Sequence, residues 1–485
     1  MKILILARDI PPYVCVPGSI QRVILLCKYL ADRGYEVGLV GSTRRTTNHE
    51  GPIWWNKELD TVKVFPLVPG KFLRYMNSIK KELTKNKTEK VNLHEYHDEN
   101  NIIKHRSKIK KRFIKYLLNY KIFTSMVRKI YYNFFIFGDD GVLELSSLKI
   151  HLSRVLNTFK PNAIIVSVPP HSWLRIIPWL KLKYPSLPLI IDFRDGWTST
   201  GIFRAKSSIR RFWQDYIEKK VILSADGVIF MSLGLKRFYL NKYGKGLPYS
   251  EIIFNGYSKR FWNNINGIKI NTNFLTQKHR PCIIKYVGSM GFSTKSFRSP
   301  YNIFLALESC LKKRIISSSD FILSFTGNIG NTEILNDFPL LRPMIRINNP
   351  VSPLDALKEM KNADFLLLTH KKEEGAEEVL TGKIFDYLRA GKPIIAITPK
   401  NCGIKKFLDD LDIGVWANIN DINDISKKIK DILKTFRSDK WHEWSKKNTL
   451  NLSGIGEYSR EYQYQKFEKY IKKIVREKIK QRSLL

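Results

Sequence analysis

The chain has 485 residues, of which 43% are hydrophobic and 12% aromatic. This length suits two domains, and this composition excludes a wholly disordered protein. Lys and Arg number 83 against 44 Asp and Glu, and the formal charge of +39 indicates an anionic partner: nucleic acid, an anionic membrane surface or a phosphorylated substrate. The five cysteines form no CxxC pair, which argues against a zinc ribbon or disulfide framework and favours a reducing cytoplasm.

The N-terminal half alternates buried strands with helices. Residues 2–7 are almost all apolar, as in a strand covered on both faces, and helical apolar spacing follows at 19–33. Gly34 stands where a helix C-cap glycine belongs, before a second strand at 36–40. The same patterns predict a helix at 172–183 and strands at 163–168, 189–192, 227–231 and 252–254. These β-α-β units predict a doubly wound parallel sheet.

A second series of strands follows a polar stretch at about 265–280 that is rich in Asn, Lys and Thr. Strands are predicted at 283–287, 321–325, 344–347, 365–368, 394–397 and 414–416, with helices between them. A long charged amphipathic helix is predicted at 458–479, with Tyr462, Phe467, Tyr470 and Ile474 on one stripe. We therefore predict an N-terminal domain at 1–265, a C-terminal domain at 266–455 and a final helical segment at 456–485.

One segment does not fit a plain sheet domain. Residues 71–130 hold 17 Lys and Arg against 5 Asp and Glu, and at 109–136 the basic residues mix with aromatic and aliphatic ones. This pattern is typical of an amphipathic helix on an anionic membrane. A solvated basic face on an ordinary helical insertion is the alternative. We place the insertion at about 71–136.

The strongest chemical motif begins at Thr381-Gly382-Lys383, where a helix opens after a loop. Glycine lets the backbone approach a ligand, free N–H groups point at it, and Lys383 adds a cation, so the motif suits a phosphate. Asp386, one turn further on, can accept hydrogen bonds from sugar hydroxyls. A charged, N-capped helix without a ligand is the alternative interpretation.

The segment around this motif resembles the signature of the family 4 glycosyltransferases. Their pattern is an acid, seven residues, a second acid and then Gly-x-Pro, which Glu378, Asp386 and the Gly391-Lys-Pro segment reproduce. The sequence K-I-F-D-Y-L-R-A-G-K-P at 383–393 is similar to that of a bacterial envelope-polysaccharide branch of this family. Further segments resemble that branch in the same order: V-P-P-H-S at 168–172, I-D-F-R-D-G-W at 191–197, N-G-Y at 255–257, Y-V-G-S at 286–289 and Y-S-R at 458–460.

The resemblance implies a GT-B fold, in which two tandem Rossmann-like, doubly wound domains face a cleft and a C-terminal helix crosses back to the first domain. It also implies residue roles. Glu378 would touch the transferred sugar, and Lys383 and His171 would join it as catalytic residues. Asp386 would hold the ribose. The remaining donor-side residues would be Thr381, Gly382, Ser289, Gly327, Asn328 and Val351, and the acceptor-side residues would be Gly18, Arg194 and Asp195.

The phosphate clamp departs from the family pattern. Ser289 stands where many members have an arginine, and the candidate replacement cations are Lys295 and Arg298. The resemblance implies a mechanism without a nucleophile, cofactor or metal, in which cations and N–H groups stabilise the departing diphosphate. The acidic segments at 139–140 and 409–412 are accordingly interpreted as loop or helix-cap acids. Trp441 and Trp444 are assigned to core packing.

The resemblance implies a retaining glycosyltransferase that moves a sugar from a nucleotide-diphosphate sugar to a glycan acceptor, expected to be lipid-linked, in capsule, O-antigen or exopolysaccharide synthesis. No signal peptide and no spanning helix are expected, so the enzyme would be cytoplasmic and peripheral on the inner membrane face. A nucleotide-sugar epimerase of the same fold is the enzymatic alternative. The non-enzymatic alternatives are a basic membrane- or nucleic-acid-binding protein and a degenerate GT-B subunit, although no nucleic-acid-binding motif occurs.

Overall fold

A computed structural model describes most of the chain outside the basic insertion. The described residues are 1–13, 17–43, 58–68, 70, 139–199, 203–205, 207–264, 280–292, 296–371, 374–451 and 454–483, with backbone only at 17–20 and 482. The predicted insertion at 71–136 and most of the polar stretch at 265–280 lie outside these residues.

Among the described residues, seven strands form a first sheet in the order β3-β2-β1-β4-β5-β6-β7. They are β1 (Lys2–Leu6), β2 (Glu36–Ser42), β3 (Lys63–Leu67), β4 (Ala163–Val168), β5 (Leu189–Phe193), β6 (Gly227–Phe230) and β7 (Ser250–Ile252). β1 pairs in parallel with β2 and β4, and its residues 3–6 are fully buried. This order reverses between β1 and β4, which makes their C-terminal ends the topological switch point of the sheet.

Six α-helices accompany the first sheet in the described residues, and the sequence predicted two of them, at 19–33 and 172–183. They are α1 (Pro17–Asp32), α2 (Leu145–Phe159), α3 (Ile177–Lys183), α4 (Ser208–Ser224), α5 (Leu233–Tyr243) and α6 (Lys259–Asn263). The helix predicted at 172–183 is a 3₁₀ helix at His171–Ile176 followed by α3. Pro178 lies in the first turn of α3, where its missing N–H costs nothing, so the α-helix starts there.

A second, six-stranded sheet has the order β12-β10-β8-β13-β14-β15. Its strands are β8 (Cys282–Val287), β10 (Phe321–Thr326), β12 (Ile345–Asn348), β13 (Phe365–Thr369), β14 (Ile394–Thr398) and β15 (Val415–Asn418). Two short strands, β9 (Met290–Gly291) and β11 (Ile329–Gly330), pair separately. The order reverses between β8 and β13, so the switch point of this sheet lies at their C-terminal ends.

The helices of the second half of the chain lie between and after these strands, and the last of them reaches the last described residue. They are α7 (Tyr301–Lys312), α8 (Pro353–Lys361), α9 (Lys383–Ala390), α10 (Gly403–Asp410), α11 (Ile422–Phe436), α12 (Trp441–Lys447) and α13 (Arg460–Ser483). Trp441 is buried in the core under α7 and α11, and Trp444 packs against it, which confirms their assignment to packing. No helix in the described residues is long and apolar enough to span a membrane.

The stripe predicted for the last helix is wrong at one position. Tyr462 is exposed, whereas Phe467, Tyr470 and Ile474 are buried together with Tyr464 and Ile471. The Tyr470 hydroxyl donates to the Tyr249 carbonyl at 2.5 Å, so α13 returns to strands of the first sheet. The residues that contact the sheet therefore start two positions later than the sequence pattern suggested.

The described chain divides into two compact units. The first holds Met1–Asp192, Ile202–Asp226 and Lys478–Leu485, and the second holds Phe193–Gly201 and Gly227–Glu477. The predicted domain limits at 265 and 455 stay a prediction, because the residues around 265 lie outside the described part of the chain.

Candidate functional site

Two glycine loops meet at the switch point of the second sheet. Gly288 follows β8 and Gly327 follows β10, and the two strands are parallel neighbours. A Cβ on Gly327 would lie 2.5 Å from the Gly288 carbonyl oxygen, and both residues have positive φ, +127° and +140°. Only glycine fits this backbone and this contact. The loops therefore contribute no side chains at these two positions beside the end of β8.

Lys383, the first residue of α9, places its ammonium beside these glycines. Its Nζ donates to the Tyr286 hydroxyl at 2.5 Å and lies 3.9 Å from the centroid of the Tyr286 ring. A Cβ on Gly288 would come within 2.4 Å of Lys383 Nζ. The helix that follows β13 thus delivers a cation to the glycine that follows β8, as expected for neighbouring strands at a switch point.

Arg298 completes a cluster of two cations around Tyr286. Its positive charge acts on both the Tyr286 hydroxyl and Lys383, and the Tyr286 hydroxyl donates its proton to the Ser289 carbonyl at 2.8 Å. Burial raises the pKa of Tyr286 to about 12, so the group stays neutral. Burial and then the charge of Arg298 hold the pKa of Lys383 well below its usual value.

Neither cation of this cluster forms an ion pair with a carboxylate within the described ranges. Two like charges held together in a partly buried place repel, and an anion between them would relieve that repulsion. Two glycine loops, two cations and the N-terminus of α9 are the features of a phosphate or diphosphate site. Tyr286 received no role from the sequence, although it stands in the Y-V-G-S segment.

Glu378 lies in a tightly clamped turn at Ala376–Glu378. Its Oε2 accepts a hydrogen bond from Ser199 Oγ at 2.5 Å, and its carbonyl accepts one from Ser232 Oγ at 2.8 Å. A Cβ on Gly234 would lie 1.9 Å from the Glu377 carbonyl oxygen. The turn thus packs directly on the first turn of α5, which fixes the position of the Glu378 carboxylate. Ser199 carries no motif that could have linked it to Glu378.

Asp386 is half-buried on α9, one turn beyond Lys383. Its Oδ1 accepts a hydrogen bond from the Trp262 indole at 3.2 Å. Burial raises its pKa, while the charge of Arg460 and the Trp262 hydrogen bond lower it. One carboxylate oxygen is therefore engaged by Trp262, and within the described residues no hydrogen bond to Oδ2 is found.

The other predicted donor-side residues lie along the same edge of the second sheet. Thr381 and Gly382 precede α9, and the Thr381 carbonyl accepts from the Ile384 N–H. Ser289 and Asn328 are exposed in the loops after β8 and β10, and Val351 is exposed after β12. Lys295 lies outside the described residues, so Arg298 is the candidate cation that the structure brings to Lys383.

Two predicted acceptor-side residues lie at the switch point of the first sheet. Gly18 is in the first turn of α1, after β1, and His171 follows β4. His171 is fully buried, and its ring meets that of Phe203 edge to face at 4.6 Å. Arg194 and Asp195 follow β5, where Arg194 is buried and Asp195 is exposed.

The sequence did not predict a buried ion pair beside β4, the strand that precedes His171. Arg22 of α1 binds both oxygens of Asp192, with Nη2–Oδ1 at 2.8 Å and Nε–Oδ2 at 3.2 Å. Ser167 Oγ donates to the same carboxylate at 2.7 Å. This arrangement ties α1 to β4 and β5. Asp192 belonged to a recognised segment, but Arg22 stands in an ordinary helix and gave no signal.

The acidic segments behave as predicted. Asp139 caps a 3₁₀ helix by accepting from the Gly141 N–H, and Asp140 pairs with Arg8 at 2.5 Å. Asp409 pairs with Lys405 near the end of α10. Within the described residues, no group of three or more His, Cys, Asp or Glu side chains is placed to hold a metal ion. Metal independence remains a prediction.

Comparison with solved structures shows the fold. A structure described as trehalose-6-phosphate from E. coli bound with UDP-2-fluoro glucose matches with a TM-score of 0.60 and 11% identity, over 98% of this chain and 99% of that one. A sucrose-phosphate synthase of Thermosynechococcus elongatus matches at 0.58 and 11% over 98% of both chains. A glycosyltransferase of Rickettsia africae matches at 0.56 and 13%, again over 98% of both.

The chain has the GT-B fold. At these identities the likeness concerns the fold alone, and activity has to be argued from the residues. No protein-family model and no curated protein matches the sequence.

Proposed function

We propose that the protein is a retaining glycosyltransferase that takes a sugar from a nucleotide-diphosphate sugar. The observation that carries this proposal is Lys383, held by Tyr286 over Gly288 at the switch point of the second sheet, with the charge of Arg298 acting on both Lys383 and Tyr286. Two cations that pair with no carboxylate in the described part of the chain, beside the glycines after β8 and β10, suit the diphosphate of such a donor. Asp386 and the exposed loops after β10 and β12 would receive the ribose and the base.

The proposed mechanism follows the movement of charge. When the bond between the anomeric carbon and the phosphate breaks, negative charge builds on the diphosphate. Lys383, Arg298 and the N–H groups at the start of α9 stabilise that negative charge, so the mechanism needs no metal ion. Glu378, fixed by Ser199, faces the transferred sugar. The acceptor hydroxyl attacks from the leaving-group side, and a donor phosphate oxygen takes its proton.

We propose a lipid-linked glycan as the acceptor, in the synthesis of an envelope polysaccharide. The resemblance of the sequence to that enzyme branch supports this choice, and so does the formal charge of +39, since both a pyrophosphate-linked lipid and an anionic bilayer attract cations. The enzyme would work as a peripheral protein on the inner face of the cytoplasmic membrane. His171, Arg194 and Asp195 are the proposed acceptor-side residues.

A thermal-shift panel of UDP-, GDP-, ADP- and dTDP-sugars tests the donor site. A ligand at 100 times its dissociation constant adds about 2.7 kcal/mol to the free energy of unfolding. We expect a shift with one base, lost in Lys383→Ala and Arg298→Ala and kept in Lys434→Ala, an exposed lysine on α11. No shift in the wild type with any nucleotide sugar contradicts the proposal.

A product assay separates the transferase from the epimerase. The selected nucleotide sugar is incubated with the protein and a membrane lipid extract, and both nucleotide and sugar are analysed. Release of the nucleoside diphosphate with transfer of sugar to lipid, the anomeric configuration being retained, supports the proposal. Conversion to an epimeric nucleotide sugar without lipid contradicts it.

A further inference from the structure

Helix α4 exposes a continuous apolar face. Its residues Ile209, Phe212, Trp213, Tyr216 and Leu223 are all between 48% and 74% exposed. The first four follow the spacing i, i+3, i+4, i+7, and Leu223 lies at i+14, beyond Lys220 on the same side. All five lie within about 100° of the helix circumference. We call these five residues the aromatic face. Single exposed apolar side chains are common, but a contiguous stripe of this kind marks a binding surface.

The opposite face of α4 fixes this orientation. Val221 and Ile222 are buried there, and so are the polar residues Gln214 and Glu218. The Gln214 amide donates to the Phe203 carbonyl at 2.7 Å and accepts from the Ala205 N–H at 2.8 Å. Rolling the aromatic face inward would break these buried hydrogen bonds, so the helix holds that face outward.

The rings of the aromatic face form one patch. Phe212 and Trp213 meet edge to face with centroids 6.0 Å apart, and Trp213 meets Tyr216 in the same way at 5.9 Å. Trp and Tyr have an apolar body with a polar tip, which is the combination favoured at the boundary between lipid tails and headgroups.

The charged residues of α4 indicate what kind of partner the aromatic face binds. Arg211, Lys219 and Lys220 are exposed, whereas of the two acids on this helix Glu218 is buried and Asp215 is half-buried away from the aromatic face. Basic side chains around an aromatic stripe complement anionic lipid headgroups. A second copy of this chain would bring the same cations face to face, on molecules that each carry a formal charge of +39.

We propose that the aromatic face of α4 is the surface through which the protein docks on an anionic bilayer, with the helix lying in the headgroup plane. This surface is distinct from the basic insertion at 71–136. The inference rests on the proposed function only for the lipid-linked acceptor, because docking itself needs neither donor nor acceptor. A protein that binds no vesicles would therefore overturn the docking proposal without affecting the donor site, and a protein that binds no nucleotide sugar would do the reverse.

Sedimentation of the full chain with vesicles tests this docking. The vesicles are phosphatidylcholine alone and an equal mixture with phosphatidylglycerol, at low and high salt. We expect binding to the mixture that falls with salt. Phe212→Ser/Trp213→Ser should weaken it by about tenfold or more, because each large apolar side chain contributes through its buried area. The control Tyr462→Ser/Ile479→Ser changes two exposed side chains of α13 and should bind as the wild type does.

Quenching of tryptophan fluorescence by brominated lipid shows whether the aromatic face itself contacts the bilayer. Part of the tryptophan fluorescence should be quenched on vesicles, and Trp213→Phe, which keeps an aromatic ring, should bind normally while losing that part. Equal binding by the wild type and the Phe212/Trp213 double variant overturns the proposal, as does quenching that Trp213→Phe leaves unchanged. A double variant that instead loses self-association in sedimentation velocity, without any vesicle binding by the wild type, also overturns it.

Discussion

One hydroxyl organises the candidate phosphate site. Tyr286 Oη accepts from Lys383 at 2.5 Å and donates to the Ser289 carbonyl at 2.8 Å, and the charge of Arg298 acts on the same hydroxyl. We therefore regard Tyr286 as a positioning residue. Removing the hydroxyl leaves the ring under the ammonium but frees the Lys383 ammonium to move.

Tyr286→Phe should therefore weaken binding of a nucleoside diphosphate by about tenfold, the value of one hydrogen bond to a charged group. The affinity for the monophosphate should change much less. Isothermal titration measures both, with Tyr301→Phe on α7 as the matched control. Equal losses for the two ligands would show that Tyr286 acts on the whole fold rather than on the cations.

The lowered pKa of Lys383 predicts a pH dependence of donor binding. In the free protein, burial and Arg298 favour the neutral amine, whereas a bound diphosphate favours the ammonium. Binding therefore takes up a proton, and affinity should fall as pH rises through the lowered pKa of free Lys383. Lys383→Arg keeps its charge and should flatten the profile. Titrations over a pH series measure this, and a wild-type profile as flat as the variant's would contradict it.

The buried pair in the first unit predicts a stability effect. Arg22→Ala leaves Asp192 buried without its cation, which should lower the free energy of unfolding by about 3–5 kcal/mol. Lys2→Ala removes the exposed pair with Glu36 and should cost about 1 kcal/mol or less. Urea denaturation of both variants checks the difference. Comparable midpoints would mean that the buried pair contributes no more than a surface pair.

At the scale of elements, the clamped turn at Ala376–Glu378 depends on a glycine in α5. A Cβ at Gly234 would lie 1.9 Å from the Glu377 carbonyl, so Gly234→Ala must push the Glu378 turn away. We expect a loss of about 1–3 kcal/mol in the free energy of unfolding. Gly454→Ala meets nothing within 4 Å and is the control. Unfolding curves that place the two variants together would contradict this account of the turn.

The buried strands of both sheets could be predicted because they are continuous apolar runs. β3 was missed since it lies at the sheet edge, where Lys63, Val64 and Pro66 are exposed and break the apolar pattern. β7 begins two residues before the predicted strand, and β15 ends two residues after its predicted end. Both are also edge strands, whose ends are set by pairing rather than by burial.

The local part of the site could be predicted, and the long-range part could not. Lys383 and Asp386 stand one turn apart on α9, and the glycine before them marks the helix start. In contrast, Tyr286 is 97 residues from Lys383, and Ser199 is 179 residues from Glu378. The pairing of β8 with β13 brings Tyr286 and Lys383 together, whereas Ser199 and Glu378 follow strands of different sheets. No local spacing encodes either contact.

At the scale of the whole molecule, the excess positive charge has two separate uses in this account. Half-buried Lys383 and exposed Arg298 form the candidate diphosphate site, while exposed cations beside the aromatic face of α4 meet anionic lipid. Salt should weaken vesicle docking more than nucleotide binding, because the cations of α4 are all exposed whereas Lys383 is partly shielded from solvent. This separation allows donor binding to be measured without a membrane.

The most direct test of the central claim compares a nucleoside diphosphate with its monophosphate by isothermal titration. The base is the one selected by the thermal-shift panel, and the proteins are the wild type, Lys383→Ala/Arg298→Ala and Lys434→Ala. We predict that the wild type and Lys434→Ala prefer the diphosphate by about tenfold to 100-fold, as expected for charge-assisted bonds, and that the double variant loses this preference. A double variant that keeps the preference would show that the diphosphate binds elsewhere and would contradict the account.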